Sequence, residues 1–133
     1  MYWKYAVGFL IASLIQAGII MGAEYMGISE LGAKLSVGQL VNHILAGQAA
    51  GFLLMAIMQG INLLRDLNYW VLGTVYGILI WAILIPINVA QGTINAPWNQ
   101  GLATLVVSLI AFVVYGLVAT YTIETFGDNK IRI

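Results

Sequence analysis

Residues 42–87 read NHILAGQAAGFLLMAIMQGINLLRDLNYWVLGTVYGILIWAILIPI. Two long apolar runs, Asn42 to Leu64 and Trp70 to Ile87, flank the tetrapeptide Arg65-Asp66-Leu67-Asn68. A helix needs about 20 mostly apolar residues to cross the hydrocarbon core of a bilayer, and each run is of that order. So short a link between two such helices forces them to run antiparallel, and the pair predicts a transmembrane hairpin.

Two further runs qualify as spans, Tyr5 to Ala23 before the hairpin and Leu102 to Ile123 after it. The sequence therefore predicts an all-α integral membrane protein, a four-transmembrane-helix bundle forming one domain over residues 1–133, with spans at 5–23, 42–64, 70–87 and 102–123. Composition agrees: 62% of the residues are hydrophobic and only 8% charged, whereas a soluble domain carries about 25% charged residues. Cysteine is absent, which removes disulfides, thiolate metal sites and cysteine nucleophiles from consideration. The five basic residues, Lys4, Lys34, Arg65, Lys130 and Arg132, are scattered and form no patch to neutralise phosphates, so nucleic acid is not an expected partner. The expected partners are the lipid bilayer and either further copies of the chain, as a homo-oligomer, or another membrane protein.

An even number of spans places both termini on one side, together with Arg65. That side holds Lys4, Arg65, Lys130 and Arg132, and the other only Lys34. Cytoplasmic loops carry the excess of Lys and Arg, so the N- and C-termini are expected in the cytoplasm and the chain in the cytoplasmic (inner) membrane. Tyr2, Trp3, Tyr5, Tyr69, Trp70, Tyr121 and Phe126 fall at the predicted cytoplasmic interface, and Tyr25 and Trp98 at the opposite one. Lys4, the first apolar run and Gly22-Ala23-Glu24 have the outline of a signal peptide. However, the run is longer than the roughly 7–15 residues of a signal core and no A-x-A triplet precedes Glu24, so it is read as a retained span.

The loops differ in character. Ile28, Leu31, Leu35 and Leu40 recur at helical spacing opposite Glu30 and Lys34, the pattern of a short amphipathic helix on the membrane surface. The link from Asn88 to Gly101 carries no charge, and Pro86 and Pro97 bracket it. Such a segment lies in the interface or dips back into the bundle.

Between helices in lipid, close backbone contact and interhelical hydrogen bonds replace the hydrophobic effect. Gly18 and Gly22, Gly47 and Gly51, and Gly73 and Gly77 each form a G-x-x-x-G pair, with Gly116 and Thr120 a weaker counterpart. These are the expected helix-packing positions, within the bundle or between chains. A shift of 65 residues also sets Gly8 on Gly73, Ala17 on Ala82, Gly27 on Gly92, Ala46 on Ala111 and Gly51 on Gly116. A duplication of that kind gives two parallel two-helix repeats related by an axis along the membrane normal, although a composition so rich in small and aliphatic residues also matches itself by chance.

Few residues offer chemistry. Glu24 and His43 are both expected at the outer ends of their spans. They read either as a proton-responsive pair, since histidine beside a carboxylate titrates near neutral pH, or as polar markers of two helix ends at headgroup depth. Arg65-Asp66 reads as a topology anchor, and Glu124, Asp128, Lys130 and Arg132 as a solvated tail. Gln16, Gln48, Gln59, Asn62, Tyr76, Ser108 and Tyr115 lie within spans, where each needs a partner inside the bundle. They read as interhelical glue or, for Gln48, Gln59, Tyr76 and Tyr115, as a polar path. With one histidine, no cysteine, and no P-loop or dinucleotide motif, no catalytic constellation, metal site or cofactor is expected.

The runs Leu72-Gly-Thr-Val-Tyr-Gly-Ile-Leu-Ile-Trp81, Pro86-Ile-Asn88, Ala96-Pro-Trp-Asn99 and Val114-Tyr-Gly-Leu-Val-Ala-Thr-Tyr-Thr-Ile-Glu124 resemble the C-terminal half of the YqhR/YagU-type bacterial inner-membrane proteins. His43, followed by a glycine-containing span, extends the likeness to the C-terminal two-thirds of the chain; the first span matches less well. The resemblance implies residence in a bacterial cytoplasmic membrane and a link to acid tolerance for some members, and it brings no active-site residues. Two functions follow as expectations. One is a small transporter or channel-like protein for an ion or small solute; the other is a non-transporting membrane subunit or scaffold that packs against partner helices.

Overall fold

The structure, a computed structural model, describes residues 2–28, 37–61, 67–92 and 94–131, with side chains up to Thr125. Most of the predicted amphipathic stretch with Glu30 and Lys34, the Arg65-Asp66 turn, Asn62, and the side chains of Phe126, Asp128, Lys130 and Arg132 lie outside what is described. The described residues form four α-helices: α1 (Tyr2–Tyr25), α2 (Val37–Gly60), α3 (Tyr69–Ala90) and α4 (Leu102–Ile131). A 3-10 turn, Pro97–Asn99, precedes α4. All four are long and apolar enough to cross a membrane, and no strand occurs among the described residues.

The helix ends are set by local chemistry. Asn68 takes an extended backbone and its Oδ1 accepts from the Val71 amide at 2.9 Å, capping α3. At the end of α1, Gly27 turns left-handed at φ +76°. Its amide donates to Glu24 O at 3.1 Å and the Ile28 amide to Ala23 O at 2.9 Å, the paired bonds of a Schellman cap. Gly92, also at φ +76°, closes α3 with a bond to Val89 O at 3.0 Å. The 65-residue register is thus visible in the helix boundaries. Tyr25 and Ala90 end α1 and α3, Gly27 and Gly92 cap them, and Val37 and Leu102 start α2 and α4. The five residues buried on α2, Gly47, Gly51, Leu54, Met55 and Met58, correspond to Phe112, Gly116, Ala119, Thr120 and Ile123, all buried on α4.

Successive helices alternate in direction. α4 is the central helix, packed against α1 on one side and α3 on the other, and α2 lies on the free flank of α1. The core gathers Tyr5, Phe9, Leu54, Met58, Leu72, Tyr76, Phe112, Tyr115 and Ile123 near mid-bundle and towards the end where α1 and α3 begin, here called the near end. Aromatic rings ring that end: Tyr69 stacks on Trp70 at 5.0 Å and meets Tyr121 edge-on at 5.5 Å, and the Lys4 ammonium lies 5.9 Å from the Trp3 ring. Tyr5, expected in this belt, turns inward and is buried. α2 and α3 run antiparallel but do not pack along their length, despite the short connection between them. The Tyr76 side chain spans the gap instead, donating to Ala50 O at 2.7 Å.

The glycine pairs play three different parts. Gly73 and Gly77 lie against the backbone of α4: a Cβ on Gly73 would sit 2.8 Å from Leu117 Cα, and one on Gly77 2.6 Å from Val113 Cα. Gly116 faces them in return, against Gly73 O and Gly77 N. Gly47 and Gly51 instead admit side chains of α1, Ser13 and the Phe9 ring. Position 9 carries phenylalanine where its repeat equivalent, position 74, carries threonine, so the α1–α2 crossing is held by a ring and the α3–α4 crossing by backbone. Gly18 and Gly22, expected to pack, meet nothing within 4 Å. Gly18→Ala is therefore expected to raise stability slightly, by about 0.5–1 kcal/mol of helix propensity, measured by denaturant unfolding in mixed micelles, whereas Gly51→Ala, which drives into the Phe9 ring, is expected to lower it.

Candidate functional site

The divergence of α2 from α3 leaves a cavity of about 400 Å³, open towards the far end of the bundle. Every helix contributes to it. α1 supplies Gln16, Ala17, Ile20 and Met21; α2 supplies Gln39, Asn42, His43, Ala46, Gly47 and Ala50; α3 supplies Ile80, Leu84, Ile85, Asn88 and Gln91; α4 supplies Phe112 and Tyr115. Gln39, His43, Ala46 and Ala50 fall at helical spacing on one face of α2, which explains how a single turn-by-turn stripe lines the space. Ile94, from the link between α3 and α4, lies at the rim and packs against the core, and Pro97 is buried. The uncharged link thus dips back into the bundle at these two residues.

The cavity is mixed in polarity. Gln39, Asn42, Asn88 and Gln91, from the far ends of α2 and α3, and His43 bring polar groups to it, and Ile20, Ile80, Ile85 and Phe112 are among its apolar lining. Among the described residues no Asp, Glu, Lys or Arg lines it. Towards the near end two tyrosines close it. Tyr115, 1% exposed, donates its hydroxyl to Gly47 O, and Tyr76 donates to Ala50 O one turn further along α2. Beyond them Leu54, Met55, Met58 and Leu72 are buried in the core. The two bonds therefore tie α4 and α3 to the same strip of α2 backbone and separate the cavity from the near end.

His43 donates from Nε2 to Ser13 O at 2.8 Å; a carbonyl only accepts, so Nε2 carries the proton. That carbonyl lies three helical turns, about 16 Å of rise, from Glu24 on α1. The structure therefore does not join Glu24 and His43 as a hydrogen-bonded pair, because α2 crosses α1 at a different height from the one equal span ends would give. His43 faces the cavity, and Glu24 does not line it. Of the polar path Gln48, Gln59, Tyr76 and Tyr115, only the tyrosines come together. Gln48 turns to the other side of α2 and donates to Ala6 O at 2.8 Å, and Gln59 is exposed near the end of α2. The expected path is replaced by the cavity above the tyrosines.

The other polar groups within spans are mostly satisfied locally. Ser108 Oγ donates to Leu105 O at 2.9 Å and accepts from Trp81 Nε1 at 3.0 Å. Thr120 and Thr122 donate to carbonyls four residues back, each at 2.8 Å. Gln16 stands apart. It is 5% exposed, lines the cavity, and its carboxamide makes no hydrogen bond to any described residue. Sequence reading placed Gln16 among groups needing a partner but did not assign it to a site. Gln39, Asn42, Asn88 and Gln91 were missed because they sit at span ends, where polar residues are ordinary. Their common face, with His43 at the spacing i+4 from Gln39, was the available signal. Among the described residues no group of three or more His, Asp or Glu stands close enough to hold a metal ion.

Fold and site together define a class: a four-helix bundle of membrane-spanning length with a far-end cavity made by all its helices. Comparisons with protein-family models, with curated proteins and with solved structures gave no match. The likeness to the YqhR/YagU-type proteins therefore stands on the quoted motifs alone.

Proposed function

We propose that this chain is a small membrane carrier that takes a small solute into a cavity open to the outside of the cytoplasmic membrane and passes it inward when the Tyr76 and Tyr115 bonds give way. The observation that carries the reading is the cavity itself. Seven polar side chains, from the four helices and the residue that ends α3, converge on it, and two of them, Gln16 and Tyr115, are buried within spans, where lipid offers such groups no partner. The side assignment is read from the sequence: in the four-span topology Lys4, which lies at the near end, shares its side of the membrane with Arg65, Lys130 and Arg132, against Lys34 alone on the other. The matching helix boundaries at a 65-residue offset support a two-helix repeat, and the cavity then lies between its halves, where parallel-repeat transporters place their sites.

The test is solute entry into proteoliposomes. Purified protein reconstituted at known density is challenged with osmotic steps of uncharged solutes of increasing size, and with a pH step read by a trapped dye. Entry above that of protein-free liposomes for at least one challenge is expected; none for any of them refutes transport. A second reading, a subunit that packs against partner helices, draws on Gly18 and Gly22, which none of the described residues covers. It predicts that Gly18→Leu abolishes a crosslinked complex in native membranes while leaving solute entry unchanged.

A further inference from the structure

We infer that the cavity selects an uncharged amphipathic molecule, with Gln16 as the group that recognises its polar head. This rests on the reading of the cavity as a solute site and adds the class of solute. Three observations carry it. First, among the described residues the lining holds no Asp, Glu, Lys or Arg. An ion entering it would give up water with no counter-charge to replace it, a cost that excludes ions from such sites unless they are paired. Secondly, most of the wall is apolar, with Ile20, Leu84, Ile85 and Phe112 around the middle, so a fully hydrated polar solute would also lose more than it gains. Thirdly, Gln16 is buried to 5% exposure in that wall, and its carboxamide has no hydrogen-bond partner among the described residues.

The third observation turns the cavity from a void into a recognition site. Gln16 lines the open cavity, so its amide is presented to an occupant, and replacing it with an apolar group of the same shape is expected to be close to neutral for the fold. Tyr115 and the half-buried His43 on the same wall are already bonded to the fold, to Gly47 O and Ser13 O. Gln16 offers one acceptor and two donor hydrogens to whatever occupies the cavity. A ligand that matches it presents both a donor and an acceptor, as a carboxamide, urea, lactam or hydroxyl group does. A carboxylate lacks the donor and an amidinium the acceptor.

The experiment uses three molecules of one shape, benzamide, benzoate and benzamidinium, with toluene as the apolar control. Thermal unfolding and calorimetric titration are carried out on the full-length protein in detergent micelles, wild type and Gln16→Met. Methionine keeps the length of glutamine and removes its polar atoms. The expected result is that benzamide binds wild type at least about tenfold more tightly than either charged analogue. Gln16→Met is expected to bind benzamide about tenfold more weakly, as the loss of hydrogen bonds to one side chain implies, while toluene binding is unchanged or stronger. The apo variant is expected to melt no lower than wild type. Charged analogues binding as well as benzamide, or benzamide binding unaltered in Gln16→Met, would overturn the assignment while leaving the cavity as a ligand site. Binding of none of the four compounds would remove the solute-site reading and the assignment with it. The comparison of the four compounds on wild type stands even where the variant fails to fold.

Discussion

Gly77→Ala is expected to lower the stability of the bundle by about 1–3 kcal/mol, the cost of forcing an atom into a close-packed contact. The added carbon would lie 2.5 Å from Phe112 O and 2.6 Å from Val113 Cα. Both are backbone atoms of α4 and cannot rotate away, so α3 must move off by roughly an ångström, since carbon atoms pack at about 3.5–4.0 Å. The Trp81 to Ser108 bond, 3.0 Å long and one turn further along the same crossing, is then strained as well. Gly116→Ala should behave alike, because its carbon would press on Gly73 O. The two changes act on one crossing, so the double variant is expected to cost less than the sum of the single ones. Denaturant titration in mixed micelles, followed by far-UV circular dichroism, measures this. Unchanged stability in Gly77→Ala would mean that α3 and α4 do not cross at these glycines.

Tyr76→Phe combined with Tyr115→Phe is expected to raise the rate of solute entry into proteoliposomes by up to roughly thirtyfold. Each hydroxyl bonds a carbonyl of α2, Ala50 and Gly47 respectively. A hydrogen bond of this kind contributes about 1 kcal/mol net, and two together therefore shift an open–closed equilibrium by about 2 kcal/mol, at about 1.4 kcal/mol per factor of ten. The rings remain and keep the core filled, so the change acts on the tie between helices rather than on packing. Each single variant should give a smaller increase. The same entry rate in wild type and the double variant would place the barrier elsewhere, in the Leu54, Met55, Met58 and Leu72 layer.

The helix number and alternation were legible because composition leaves so little choice: runs of apolar residues of membrane-crossing length must be helical to satisfy their own backbone. Element ends were less so. The sequence put α2 at Asn42 to Leu64, whereas the described helix runs Val37–Gly60. Polar Gln39 and Asn42 fall within its first turns and obscured its start. α3 continues through Pro86 to Ala90, and Gly92, not the proline, supplies the left-handed turn that ends it. The glycines on α3 and α4 could be read as contact residues from spacing alone. The open Gly18 and Gly22 could not be told from them, since spacing does not say which face is covered. The site was only partly legible. His43 and Tyr115 were singled out, but their partners are backbone carbonyls, and main-chain acceptors leave no signature in a sequence. The pairing of Glu24 with His43 rested on equal depth at two span ends, and α2 begins earlier than that argument assumed.

The most direct test of the account is single-cysteine accessibility, since the chain has no cysteine of its own. Asn42→Cys, Ala46→Cys and Leu84→Cys place a thiol in the cavity, Met58→Cys places one beyond the tyrosines, and Leu53→Cys one on an exposed apolar face of α2. Each variant is treated in intact cells with a small membrane-impermeant thiol reagent. The account predicts labelling at positions 42, 46 and 84, blocked by no treatment that leaves the outer face accessible, and none at positions 53 or 58. Protection of positions 46 and 84, or labelling of position 58 as fast as position 42, would contradict an outward-facing cavity closed by Tyr76 and Tyr115.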